Sequence, residues 1–115
     1  MNKSAKFILL AAVAAAVPAI AGAATAQELW TKDCAKCHGA DGSASGPMGK
    51  KLKIKDYTNA EVNAAMTDEE ITKAIKEGET NDAGKKVMPA YGEKYSDDEV
   101  ASLVTLIRGF APAAP

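Results

Sequence analysis

A small all-α domain of three to four helices is the fold this sequence predicts, and three observations predict it. Two stretches repeat apolar residues at helical spacing, and each follows a Ser or Thr with Glu three positions on, the form of a capping box. The one short alternating stretch, around Leu52 and Ile54, has no partner, and a lone strand is not stable. The run Cys34-Ala35-Lys36-Cys37-His38 holds both cysteines and the only histidine of the chain, so one site must account for all three.

Cys-x-x-Cys-His is the attachment pattern of a c-type haem. The two thiols add across the vinyl groups of the porphyrin to give thioethers, and the adjacent imidazole reaches the iron. Two intervening residues make about one turn, which brings both sulfurs to one edge of a flat ring. Competing readings explain less. A redox dithiol gains nothing from the neighbouring histidine, and a zinc site needs further Cys or His ligands that are absent. A structural disulfide would close only a very short loop. One covalent haem c with its iron is therefore the expected cofactor, held by Cys34 and Cys37 with His38 as an axial ligand.

The chain has 115 residues, and its ends set the expected location. Lys3 and Lys6 precede an apolar, alanine-rich run over residues 7–17, and small residues follow, the layout of a secretory signal. Residues 1–26 are expected to be a cleaved signal peptide, cut after Ala26 or, alternatively, after Ala23. A permanent membrane helix is the weaker reading, because the run is short of the ~20 residues a span needs and Pro18 interrupts it. Export places the remaining domain, residues 27–115, in the periplasm. The leader carries two of the 14 basic residues and none of the 15 acidic ones, leaving 12 against 15 and a net charge of −3. No basic patch suggests nucleic acid. A chain this short builds a modest apolar core, which a flat apolar haem would complete.

The elements follow in order. A first helix is expected over residues 26–34, capped by Thr25 with Glu28. Gly39 to Gly49 is rich in glycine, serine and small polar residues without hydrophobic period, and reads as loop. A short helical turn is expected over residues 59–65. Thr67-Asp68-Glu69-Glu70 opens a helix carrying Ile71, Ala74 and Ile75, with Gly78 to stop it. Residues 85–91 read as irregular. Ser96-Asp97-Asp98-Glu99 opens the last helix, with Val100, Leu103, Val104 and Ile107 on one face and Arg108 and Gly109 at its end. Ala111-Pro112-Ala113-Ala114-Pro115 is expected to fray.

A histidine on one side of the iron leaves a sixth position. Met1 departs with the signal, Met66 precedes the Thr67 cap and reads as a staple or core filler, and Met48 lies only ten residues after His38. Met88 is the candidate. Pro89 fixes its own φ and biases Met88 toward extended backbone, which stiffens the presentation of the thioether.

These motifs together resemble the small class I c-type cytochromes, the bacterial and photosynthetic electron carriers. Trp30 stands four positions before the first cysteine, where that family has an aromatic residue. Gly39 and Gly46-Pro47 repeat its glycine-rich loop, Met88-Pro89-Ala90-Tyr91 repeats its axial methionine stretch, and the Ser/Asp-Asp-Glu opening of the last helix is shared. The resemblance implies a class I cytochrome c fold around one covalent haem. It also implies that the Pro47 carbonyl accepts from the far ring nitrogen of His38, and that the first and last helices cross with Trp30 near Leu103 and Ile107. The chain departs from the family pattern at Leu106, where an aromatic residue is common, and at Ala26, where a glycine often permits close crossing.

With His38 and Met88 both on the iron, no site is open to substrate. The expectation is an electron carrier and no enzyme: a soluble monomer passing one electron between periplasmic or membrane redox proteins. Lys50, Lys51, Lys53, Lys55, Lys85 and Lys86 flank the loops expected to border the haem and form a possible docking face. The alternatives are a haem subunit of a larger dehydrogenase or oxidase and, if Met88 is not bound, a ligand-binding or peroxide-reactive haem protein.

Overall fold

The computed structural model describes residues 24–112; most of the expected signal peptide and the last residues of the tail lie outside them. Within this span the regular structure is helical apart from one small hairpin. The first helical run has three parts: α1 (Ala26–Leu29), a π-helical turn (Trp30–Cys34) and α2 (Ala35–His38). Thr25 caps it, its hydroxyl accepting from Glu28 N–H. The expected helix over 26–34 thus continues through the whole Cys-x-x-Cys-His run, and Gly39, at φ 82°, ends it. A π turn adds one residue to a helical turn and so re-aims the side chains that follow.

Helix α3 (Pro47–Lys51) corrects one expectation. Pro47 begins it, where a missing N–H costs nothing, so the glycine-rich loop stops at Gly46, and Lys50 and Lys51 lie on the helix. Leu52 closes the helix and Lys53 then takes a left-handed φ of 54°, which breaks any strand there. Helices α4 (Ala60–Ala65) and α5 (Asp68–Glu77) follow, capped by the side chains of Asn59 and Thr67. Gly78, at φ 74°, terminates α5.

Strands β1 (Glu79–Thr80) and β2 (Lys86–Met88) form an antiparallel hairpin in which Glu79 pairs with Met88. This hairpin replaces part of the irregular stretch expected at 85–91. Helix α6 (Asp97–Gly109) carries the complete capping box, with Ser96 and Glu99 each accepting from the other's backbone N–H. Gly109 lies inside the helix, which ends at Phe110 in ordinary right-handed geometry.

Helix α6 packs against both α1 and α5. Trp30, Val100 and Leu103 are the largest fully buried side chains, and Trp30 shares one apolar cluster with Leu103 and Ile107, which is the helix crossing expected from the sequence. Ala26 and Leu106 pack at its margin. Asn63, only 4% exposed, was not anticipated. Its amide donates to the backbone oxygens of Tyr57 and Ile107, both at 2.9 Å, while the Arg108 guanidinium donates to the Asn63 and Met66 carbonyls and to Asp68. Together they tie α4 to the end of α6. Phe110 was also missed; its ring sits 4.9 Å from Trp30 and closes over Gly42.

Candidate functional site

Helix α2 ends on His38, and the π turn before it lets Trp30 enter the core while Cys34 and Cys37 face a cavity. Trp30 also fixes the end of the attachment run, its indole N–H donating to the Gly39 carbonyl at 2.9 Å. The cavity has a volume of ≈ 410 Å³, and Cys34, Cys37, His38 and Met88 all line it. Leu52, Ile71, Ile75, Leu103 and Ile107 supply apolar wall, and Tyr57 and Tyr91 add rings.

The donor set has the right chemistry at each position. Cys34 and Cys37 are free thiols, and burial, with Asp33 and Cys37 nearby, pushes the Cys34 thiol up to about 11, so it stands as a neutral thiol. Burial pushes His38 below its ordinary value, which favours the neutral imidazole that binds metals. The ring stacks on Tyr57 at 5.3 Å and lies 5.5 Å from Trp30. Its Nδ1 is buried with no hydrogen-bond partner. Two free thiols, a neutral imidazole and a thioether around one largely apolar cavity have the donor chemistry that a covalent haem needs. No three His, Cys, Asp or Glu side chains among the described residues converge as a metal cluster.

The methionines separate clearly. Met88 lines the cavity from β2, Met66 is a core residue that also touches the cavity wall, and Met48 is 37% exposed on α3, outside the lining. The Met88 carbonyl passes so close over Gly78 that a Cβ built there would lie 2.3 Å from it. After Pro89, Tyr91 and Gly92 donate their N–H groups to the carbonyls of Ile75 and Lys76 at the end of α5. Pro47 is not brought to the site. It opens α3, where its carbonyl runs along the helix axis, and it is not a partner of His38 Nδ1.

Asp33, one position before the first cysteine, carries no recognisable sequence signal. In the fold its carboxylate accepts from the Tyr95 hydroxyl and from Lys94 at 3.0 Å, and its carbonyl accepts from Tyr91 at 3.3 Å. These bonds, led by that from Tyr95, hold the Asp33 carboxyl below the usual range.

The comparisons agree with this architecture. The family described as cytochrome C oxidase, cbb3-type, subunit III matches residues 21–107. A solved c-type cytochrome, KustC0563, is 31% identical and superposes with a TM-score of 0.66 over 77% of this chain and all of its own. A variant of KustC0563 with one tyrosine replaced by phenylalanine is 32% identical, with a TM-score of 0.63 over 76% of this chain and 99% of its own. No curated protein matches. With that family spanning most of its length and a cavity built around Cys34, Cys37 and His38, the chain belongs to the cbb3-type cytochrome c family, as a small monohaem c-type cytochrome of the class I fold with one covalent haem c and a role in electron transfer.

Proposed function

We propose that this cytochrome is a soluble, monomeric, periplasmic one-electron carrier and no enzyme, with its haem iron held between His38 and Met88 and its ring bonded to Cys34 and Cys37. The observation that supports this most is the gathering of those four side chains, and not Met48, around one apolar cavity. When bound, the haem supplies a one-electron couple; axial methionine raises its potential. The polypeptide's part is to hold and to insulate. Cys34 and Cys37 fix the ring, the neutral His38 offers a lone pair, and Met88 offers a thioether from a strand pinned to α5. Apolar walls exclude water and make the extra positive charge of the ferric form costly, which favours reduction. Were His38 and Met88 both to hold the iron, no position would be left on it for substrate. Among the described residues no helix is long and apolar enough to cross a membrane.

Carbon monoxide tests the ligand assignment. The reduced wild type is expected to exclude it and reduced Met88→Ala to bind it. Strong binding by the wild type would favour a ligand-binding haem protein, and a variant that stays closed would shift the assignment to Met66 or Met48.

Lys50, Lys51, Lys53, Lys55, Lys85 and Lys86 are all exposed, and Lys53 and Lys55 reach the cavity rim. They suit an acidic redox partner. Reversing charge at Lys50 and Lys85 should slow association about tenfold at low ionic strength and flatten its salt dependence; unchanged stopped-flow kinetics would remove this face from consideration. The family description favours a second reading, a haem subunit bound within an oxidase. Co-purification with a membrane complex from the native source would select it over the free carrier.

A further inference from the structure

The two walls of the cavity come from distant parts of the chain, and few polar bonds join them. One wall is the attachment run, residues 26–38; the other is the segment from β2 through Tyr95. Among the described residues, every hydrogen bond between these two stretches ends on Asp33: from Tyr91 hydroxyl to its carbonyl, and from Tyr95 hydroxyl and Lys94 ammonium to its carboxylate. The partners are themselves ordered. Tyr91 and Tyr95 stack with ring centroids 5.2 Å apart and planes 7° from parallel, and the Lys94 ammonium lies 5.8 and 5.7 Å from the two centroids. Tyr91 is three residues past Met88, and Asp33 immediately precedes Cys34.

Resting on the His38/Met88 reading, we propose that Asp33 is a positioning residue that clamps the Met88 segment to the attachment run and so sets how often Met88 leaves the iron. Three features support this over a role in general stability. The hairpin carrying Met88 has only two residue pairs, Glu79 with Met88 and Thr80 with Lys86, Lys86 is exposed, and Val87 and Met88 are only half-buried, so apolar burial holds the Met88 strand itself weakly. The clamp lies at the cavity edge, where Tyr91 is a lining residue along with Asp33. The π turn gives Asp33 its aim, because the Trp30 carbonyl receives Ala35 N–H in place of the usual α-helical partner, and this turns Asp33 and Cys34 toward the Met88 side while Trp30 stays in the core.

A bond to a charged group contributes enough to change an opening equilibrium about tenfold or more. In the haem-loaded protein, Asp33→Asn should bind imidazole to the ferric iron about tenfold faster than the wild type, and Tyr91→Phe, which loses only the bond to the Asp33 carbonyl, about threefold faster. Arg108→Gln is the control. It severs bonds from α6 to Asn63, Met66 and Asp68, none of which touches either of the two stretches, and should lower the urea midpoint while leaving the imidazole rate within about twofold of wild type. If Asp33→Asn fails to incorporate haem, Tyr91→Phe carries the test. The weak far-red band of methionine on ferric iron, read in the wild type, separates the two layers. A wild type lacking it overturns the Met88 assignment and the clamp together. A wild type showing it, with Asp33→Asn and Tyr91→Phe binding imidazole at the wild-type rate or no faster than Arg108→Gln, overturns the clamp alone.

Discussion

The attachment run and the Met88 segment face the same cavity, yet they are held by different physics. On the first wall Trp30 is 1% exposed, donates to Gly39 and packs against Phe110, so the position of His38 is a consequence of core packing. On the second wall Met88 sits in a three-residue strand, located by a close backbone approach at Gly78, two hydrogen bonds to the end of α5 and the Asp33 cluster. One wall is part of the fold; the Met88 strand of the other is laid over it. If the iron is held as proposed, the core-packed wall keeps the ring in place and the strapped wall governs access to the sixth position.

The comparison breaks first at Trp30. Trp30→Ala is expected to destabilise the haem-loaded protein by about 3–5 kcal/mol, while Val87→Ala on the other wall costs about 1 kcal/mol; equal shifts in urea unfolding would erase the distinction. Next comes Gly78→Ala. At φ 74° an L residue is strained, and the new Cβ meets the Met88 carbonyl, so about 1–2 kcal/mol of stability and part of the far-red methionine band should be lost together. Loss of stability with an intact band would mean that the second wall tolerates displacement.

The smallest effect is acidic. Asp33 is held below the ordinary aspartate value of 3.8, chiefly by the hydrogen bond from Tyr95. Because the folded value is the lower one, its contribution is complete above pH 3.8 and fades as pH falls toward the depressed folded value. Urea midpoints measured from pH 5 downward should therefore fall less steeply in Asp33→Asn than in the wild type. Parallel slopes would remove Asp33 from the acid response.

Much of the first wall was legible in the sequence, and much of the second was not. Capping chemistry is local, so Thr67 and Ser96 announced α5 and α6 within a few positions, and the family resemblance implied that α6 meets Trp30 through Leu103 and Ile107. The haem-attachment residues announced themselves by spacing. By contrast, Asp33 meets Tyr95 across 62 positions and Asn63 meets Ile107 across 44, and nothing in an aspartate or asparagine on a helix reveals a distant partner. The hairpin escaped notice because strands of two and three residues contain no measurable alternation. The π turn was invisible because it satisfies Trp30, Cys34 and Asp33 at once, a demand that exists only after the helices meet. Pro47 went astray for a local reason. It was read as the end of a loop, whereas proline is equally at home as the first residue of a helix.

The turn of the hairpin has a practical consequence. Asn81 closes it by accepting from the backbone of Ala83 and Lys85, and Gly84, though left-handed, would meet nothing within 4 Å if it carried a Cβ. The fixed points of the Met88 segment lie at Gly78 on one side and Tyr91 on the other, so the tip between them is mechanically idle. It is a natural place to splice in extra peptide: an affinity tag, a surface tether or a partner-recognition loop set there would travel with the Met88 strand without loading the joints that hold it.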